Sequence, residues 1–423
     1  MTSSAPVYGV PTGWTVSTVD QIKSKEPYSC VAGPFGSSIS SKFFVAEGIP
    51  VIRGSNLRDD LTRFVPEGLV FVSEQQAARY RPQHVRAGDL VFTCWGTIGQ
   101  VGIIPEGSQY DAYIISNKQL KLSVNSEILD PFFCFYYFAS PKYRDYIRMR
   151  NIGGAVPGIN LGILKSLPIA FPELKVQKTI AGIIGSYDDL IENNKRRIEL
   201  LEQSARLLYR EWFVRLKYPG HEHYKIVDGL PEGWRRTTLS RVSAYISRGI
   251  SPIYDESADC LVINQKCIRN RLLDLKLAQQ QSKPVPANKF LRIGDILINS
   301  TGTGTLGRVA QVTNDIEKCT VDSHITIVRP SDQVAWRYVG FSVIDRELYI
   351  ATLGRGATNQ TELSKSAVEN LPIVIPKNEL MSEFEAMAEP LVRQIGVLSR
   401  QNEQLARARD LLLPRLMDGR ISV

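Results

Sequence analysis

Five short segments of this chain occur twice, in the same order, and that duplication constrains the fold more than any other feature. Pro11-Thr12-Gly13-Trp14 returns as Pro231-Glu232-Gly233-Trp234. The run Ile49-Pro50-Val51-Ile52-Arg53-Gly54-Ser55-Asn56-Leu57 has a looser echo in Cys260-Leu261-Val262-Ile263-Asn264-Gln265-Lys266-Cys267-Ile268. Gly88-Asp89-Leu90-Val91 matches Gly294-Asp295-Ile296-Leu297, and Gly96-Thr97-Ile98-Gly99 matches Gly304-Thr305-Leu306-Gly307. Leu167-Pro168-Ile169 matches Leu371-Pro372-Ile373. One match would be chance; five in order mean two copies of one module. The copies differ most in their loops, so one fold carries two different surfaces.

Within each copy, short apolar runs such as 89–92 and 295–298 lie between Gly, Pro and Asn turn residues and read as strands. Each copy then ends in a long helical pattern. In the first, Ile180, Ile184, Tyr187, Ile191, Asn194, Ile198, Leu201, Ala205, Leu208 and Trp212 step alternately by four and three, a heptad seam. In the second, Phe384, Ala388, Leu391, Ile395, Leu398, Asn402, Leu405, Arg409, Leu412 and Leu416 follow the same steps, displaced by 204 residues, as Leu371 is from Leu167. Arg409 breaks the apolar pattern, and a position at the seam's edge, its guanidinium snorkelling to water, is expected for it. The expected fold is α/β (α+β): two duplicated, strand-rich, mixed globular domains joined by two long antiparallel coiled-coil helices with a pseudo-two-fold axis. The segments are 1–172, a central helix at 173–217, a linker at 218–230, a second domain at 231–376 and a C-terminal helix at 377–423. The register that sets Ile180 against Leu416 and Trp212 against Phe384 also sets Asn194 against Asn402. A paired polar layer of that kind fixes register at some cost in stability.

The composition, 43% hydrophobic and 22% charged over 423 residues, belongs to a folded chain of two or three domains. Its net charge of +8 and pI near 9.1 suit a polyanionic partner. The six cysteines form no CxxC pair, so buried thiols are expected rather than a zinc ribbon or redox site. No basic stretch followed by an apolar run opens the chain, and no apolar run is long enough to span a bilayer; a cytoplasmic protein is expected.

The signatures of catalysis are missing. Gly302-Thr303-Gly304-Thr305-Leu306-Gly307 fits a dinucleotide-binding string, but a strand pattern follows it where a helix N-terminus is required, so a glycine-rich hairpin is expected. There is no GxxxxGK[ST] phosphate loop. His221 and His223 are too few for a zinc site, and His324 reads as a loop-ordering residue. Asp130-Pro131-Phe132-Phe133 lacks the second proline of an amino-methyltransferase motif and reads as a helix start. No catalytic, cofactor or metal residues are assigned.

Taken in order, the Gly-Trp opening, the Ile-Pro-Val-Ile-Arg segment, Gly-Asp followed by Gly-Thr-x-Gly, the Leu-Pro-Ile closure and the terminal heptad helix resemble the specificity subunit of type I restriction-modification systems. The resemblance covers residues 11 to 423. It implies a non-catalytic subunit with two target-recognition domains, each reading half of a split site on double-stranded DNA. It also implies helices that set the spacing and dock two adenine methyltransferase subunits, with motor-nuclease restriction subunits joining them. S-adenosylmethionine, ATP and magnesium would then belong to the partners. The competing readings are a self-contained nuclease or methyltransferase, and a coiled-coil adaptor with no DNA role.

Base reading needs Arg, Lys, Asn and Gln on loops that reach groove edges. Such residues cluster at Arg53, Asn56 and Arg58 and at Asn117, Lys118 and Gln119. In the second copy they cluster at Asn264, Gln265, Lys266, Arg269, Asn270 and Arg271 and at Asn359 and Gln360. Contacts to phosphate should outnumber contacts to bases. Cys267 stands where the first copy has Asn56.

Overall fold

The computed structural model describes residues 9–356 and 361–423. The chain forms two compact units: Met1–Asn193 with Asn402–Val423, and Asn194–Gln401. Each unit combines one strand-rich domain with half of each long helix.

In unit 1 the strand Thr15–Thr18 pairs antiparallel with Pro168–Phe171, Thr18 opposite Pro168. A four-stranded sheet runs in the order Cys30–Ala32, Gln119–Leu122, Leu90–Thr93, Val101–Ile103. A five-stranded sheet runs Phe44–Val45, Val70–Val72, Ile49–Ile52, Tyr113–Ile115, His84–Val85. The helix Pro131–Ala139 lies in the core beneath. Asp130 caps it by accepting from the Phe133 N–H at 2.9 Å, and Pro131 sits where no intrahelical donor is needed. Its apolar residues run all round the axis, so burial on every side is the stable arrangement.

Unit 2 repeats this plan. Arg235–Thr238 pairs with Pro372–Ile375, again with Thr238 opposite Pro372. The four-stranded sheet has the same order: Ser243–Arg248, Ile325–Pro330, Ile296–Asn299, Val309–Gln311. The second sheet has three strands, Gln279–Gln281, Cys260–Ile263 and Cys319–Val321. The glycine string 302–307 is the turn between Ile296–Asn299 and Val309–Gln311, which pair antiparallel; it is a hairpin.

The repeated Gly-Asp motif is structural. Asp89 accepts from the Arg86 N–H at 2.9 Å, and Asp295 from the Arg292 N–H at 2.9 Å, closing the same turn in both units. Each carboxylate then meets a cation from the neighbouring strand: Lys121 at 3.2 Å from Asp89, and Arg329 bidentate to Asp295 at 2.7 Å.

The two long helices are Leu174–Tyr209 and Asn378–Met417. None of the twenty seam residues is exposed. In unit 1, Ile180, Ala181 and Ile184 share one core with Leu413, Leu416 and Met417. In unit 2, Phe384 meets Trp212 and Phe213 with ring centroids 6.2 and 5.2 Å apart. A π-helical turn at Arg210–Val214 follows the central helix, and both of these adjacent aromatics are buried there. Asn194 opens unit 2 and Asn402 resumes unit 1.

Arg409 corrects the expectation of a snorkelling side chain. It is 8% exposed and forms an ion pair with Asp188. Asp188 also accepts from the Tyr136 hydroxyl at 2.6 Å. Arg63 donates to that hydroxyl at 3.1 Å and to Asp189 at 2.7 Å. Burial alone would lower the Arg409 guanidinium, but Asp188 beside it holds it above its ordinary pKa. A charge inside a seam is tolerable here because a buried counter-charge meets it.

Arg409→Leu restores the residue type that the heptad asks for, yet is expected to destabilise unit 1 by about 3 kcal/mol, since Asp188 is left charged and buried. Arg409→Leu combined with Asp188→Leu should recover much of that loss; the shift of the urea transition measures both. In unit 2, burial pushes the Glu202 carboxyl up from its ordinary 4.5 to about 7, against the pull of Arg271 and Arg206. A raised carboxyl contributes stability that is fully present below about pH 4.5 and is lost as pH rises through about 7. Glu202→Gln should therefore match the parent at pH 4.5. At pH 8 it should exceed it by about 1–2 kcal/mol, allowing for screening at this half-buried site. Thermal melts at the two pH values provide the check.

Candidate nucleic-acid interface

In the first copy the two polar clusters are far apart in sequence, and parallel strand pairing brings them together. In unit 1, Ile49–Ile52 runs parallel to Tyr113–Ile115, with Ile52 beside Ile115. The Ser116 N–H continues the ladder by donating to the Ile52 carbonyl at 3.0 Å. The loops holding 53–58 and 116–119 therefore leave the sheet side by side. In unit 2, Cys260–Ile263 runs parallel to Cys319–Val321, and the Asp322 N–H donates to the Ile263 carbonyl at 2.9 Å. That places 264–271 beside 322–324.

The structure divides the candidate residues into builders and presenters. Asn56 is fully buried: its side-chain oxygen accepts from the Arg53 N–H at 2.9 Å, and its amide donates to the carbonyls of Val65 and Glu67 at 2.9 and 3.2 Å. Gln119 is also fully buried, its side-chain oxygen accepting from Ser116. Asn264 is buried and accepts from the Lys266 N–H at 2.9 Å. These three correct the sequence reading. Their short amides satisfy main-chain groups inside the loops instead of reaching outward. Cys267 has no amide to give, and the first asparagine of the second segment, Asn264, caps the turn in its place.

Arg58, Asn117, Lys118, Lys266, Arg269 and Asn270 are exposed. Arg53 is half-buried and donates to the Gly68 carbonyl at 3.0 Å; Asn117 donates to the Gly36 carbonyl at 2.8 Å. Gln265 is half-buried beside Thr301, with its main-chain carbonyl accepting from Asn299 at 3.0 Å. Asn359 and Gln360 lie outside the described residues.

Each loop pair is pinned to a helix of its own unit. Asp59 accepts from Arg144 and Arg148 on Pro141–Arg148 at 2.9 and 2.6 Å. In unit 2 the polarity is reversed: Arg271 lies 4.0 Å from Glu347, the first residue of Glu347–Thr352. Arg271 faces Glu347 at that distance without a hydrogen bond from its Nε.

A third element joins each cluster. The Cys94 N–H donates to the Lys118 carbonyl, and the Ser300 N–H to the His324 carbonyl, both at 2.8 Å. These bonds bring Trp95, 42% exposed, to the unit 1 cluster and Thr301 to the unit 2 cluster. His324 accepts or donates at 2.7 Å to Thr301 and so orders its loop. Sequence reasoning passed over Trp95, although a tryptophan just before a Gly-Thr turn is a poor candidate for the core.

Among the described residues, no group of three or more His, Cys, Asp or Glu is placed to hold a metal ion, and no helix is long and apolar enough to cross a membrane. The cysteines are free, and burial pushes the Cys94 and Cys319 thiols up to about 12.

A family model described as the type I restriction modification DNA specificity domain matches residues 36–203. The type I restriction enzyme MjaIX specificity subunit of Methanocaldococcus jannaschii is 23% identical over 98% of this chain and 95% of its own length. The HindI specificity subunit of Haemophilus influenzae is 22% identical, covering 74% of this chain and 82% of its own. The crystal structure of the type I restriction-modification S subunit from M. genitalium superposes with a TM-score of 0.58 at 14% identity, covering 97% of this chain and 98% of that one, and so shares the fold. With the duplicated domains and the heptad helices, these matches make the chain similar over nearly its whole length to type I restriction-modification specificity subunits, with the DNA specificity domain matched at residues 36–203.

Proposed function

We propose that each unit reads one half of a split site on double-stranded DNA through its paired loops, and that the chain supplies sequence recognition while partner subunits supply the chemistry. The observation that carries this reading is the repeated loop pair: the same parallel strand ends, closed by equivalent main-chain hydrogen bonds, present different side chains in the two units. One framework with two divergent polar surfaces is what a bipartite reader requires.

The long helices set the distance between half-sites and dock two adenine methyltransferase subunits, which carry S-adenosylmethionine. Restriction subunits bring ATP and magnesium chemistry. In support, Leu190, Leu200, Leu207, Met387 and Leu411 project from the helices outside the seam and are more than half exposed. Apolar side chains in that number on a helix surface suit a protein partner.

Two measurements test the reading. DNA affinity should fall steeply with added salt, and Lys118→Ala should weaken it on every sequence while lowering the log–log salt slope by about 1. Binding indifferent to salt would point to an adaptor instead. Exchanging residues 1–172 for the equivalent domain of a relative should change one half of the methylated motif and leave the other, as mapped on host DNA with the parent and exchanged genes. A change in both halves would refute the modular assignment.

A further inference from the structure

Phe35 is 95% exposed, which is abnormal for a phenylalanine on a loop as firmly built as this one. Three hydrogen bonds tie residues 33–38 down. The Gly33 N–H donates to the Gln119 carbonyl at 2.9 Å, Asn117 donates to the Gly36 carbonyl at 2.8 Å, and the Tyr80 hydroxyl donates to the Ser38 carbonyl at 2.8 Å. The loop also lies so close to the neighbouring strand end that a Cβ on Gly33 would fall 1.9 Å from the Ser116 carbonyl oxygen. The backbone is therefore fixed with the ring pointing away from the core, next to Asn117 and Lys118.

Unit 2 builds the same device from different residues. The Gly249 N–H donates to the Ile325 carbonyl at 3.1 Å, and a Cβ on Gly249 would fall 2.1 Å from the Val321 carbonyl oxygen. The loop it opens is held by Lys283 on the Ser251 carbonyl at 2.9 Å, and it presents Ile253 and Tyr254, 59% and 54% exposed. Two copies of one loop, each crowded against its strand and each holding large apolar side chains in water beside the polar cluster, are not accidents of a single turn.

Resting on the DNA-reading function proposed above, we infer that Phe35 is an apolar wedge that enters a base-pair step of the first half-site, with Tyr254 as its counterpart at the second. A protruding aromatic ring needs a flat apolar surface to cover it. The edges of stacked bases offer little beyond the thymine methyl, whereas an opened step offers base faces on both sides. The flanking cations hold the backbone while the ring enters.

The test uses the full chain and a duplex carrying its mapped site, with 2-aminopurine placed at successive positions of each half. The parent should bind and raise the fluorescence at one step of each half-site. Phe35→Ala should melt as the parent does, because the ring touches nothing in the fold. It should bind about ten-fold more weakly or worse and lose the signal in the first half alone. Phe35→Met should retain part of both. Tyr254→Ala should mirror the effect in the second half. Parent binding with no fluorescence rise at any step, or Phe35→Ala binding as tightly as the parent, overturns the wedge while leaving DNA recognition intact. Absence of any parent binding to the site overturns the recognition function itself.

Discussion

The architecture of both surfaces depends on one kind of contact, the parallel pairing of two short strands inside a mostly antiparallel domain. An antiparallel pair sends its two following loops to opposite ends, whereas a parallel pair sends both to the same end. Ile49–Ile52 with Tyr113–Ile115, and Cys260–Ile263 with Cys319–Val321, are such pairs. More than fifty residues separate the partners in each unit, so the loops they release are independent in sequence and adjacent in space. Buried amides then hold each loop from within. Asn56 bonds to three main-chain groups in one unit, and Asn264 caps the turn in the other. With the framework held from inside, the outward side chains are free to diverge, and that is where the two copies differ.

Much of this was legible in the sequence, for a physical reason. Repeats and heptads are patterns of burial, and burial is what residue type reports most faithfully. The Gly-Asp, Gly-Thr-x-Gly and Leu-Pro-Ile matches all mark backbone or core positions, and they pointed to two copies of one strand-rich module. The polar clusters were harder to read. Asn and Gln have the same sequence signature whether they point into a loop or out of it, and only the fold shows that Asn56, Gln119 and Asn264 face inward. The exposed aromatics Phe35 and Trp95 were not singled out in the sequence at all. Whether a phenylalanine is buried depends on how its loop is held, and the crowding of Gly33 against Ser116 is a tertiary fact.

Arg409 shows the same limit within the seam. The heptad pattern identified it as an intruder, and the general rule for an isolated charge sends it to water. Its partner Asp188 sits one residue beyond the seam position Tyr187, so the pattern that located Arg409 could not supply the counter-charge. The ion pair does not end there. Through Tyr136 it reaches Arg63, which lies a few residues from Arg58 and also donates to Asp189. A charged chain therefore runs from the helix pair of unit 1 to the base of a candidate recognition loop. A hydrophobic pair in its place would pack as well, but it would leave that loop without this tether.

The pinning of the loops to their helices shows how two copies can keep one geometry while changing their charge. In unit 1 the loop contributes the anion, Asp59, and the helix contributes Arg144 and Arg148. In unit 2 the loop contributes the cation, Arg271, and the helix contributes Glu347. The structural requirement is only that opposite charges meet at this point, so either polarity serves. The electrostatic consequences on the outer surface differ. Unit 1 neutralises a loop carboxylate and leaves Arg58 exposed, whereas unit 2 sets a loop arginine near Glu347 and presents Lys266 and Arg269. Each loop thus keeps an exposed cation beside its pinned charge: Arg58 in unit 1, Lys266 and Arg269 in unit 2. Because main-chain hydrogen bonds hold each loop independently of this contact, the sign of the charge on the loop side can reverse without moving the backbone.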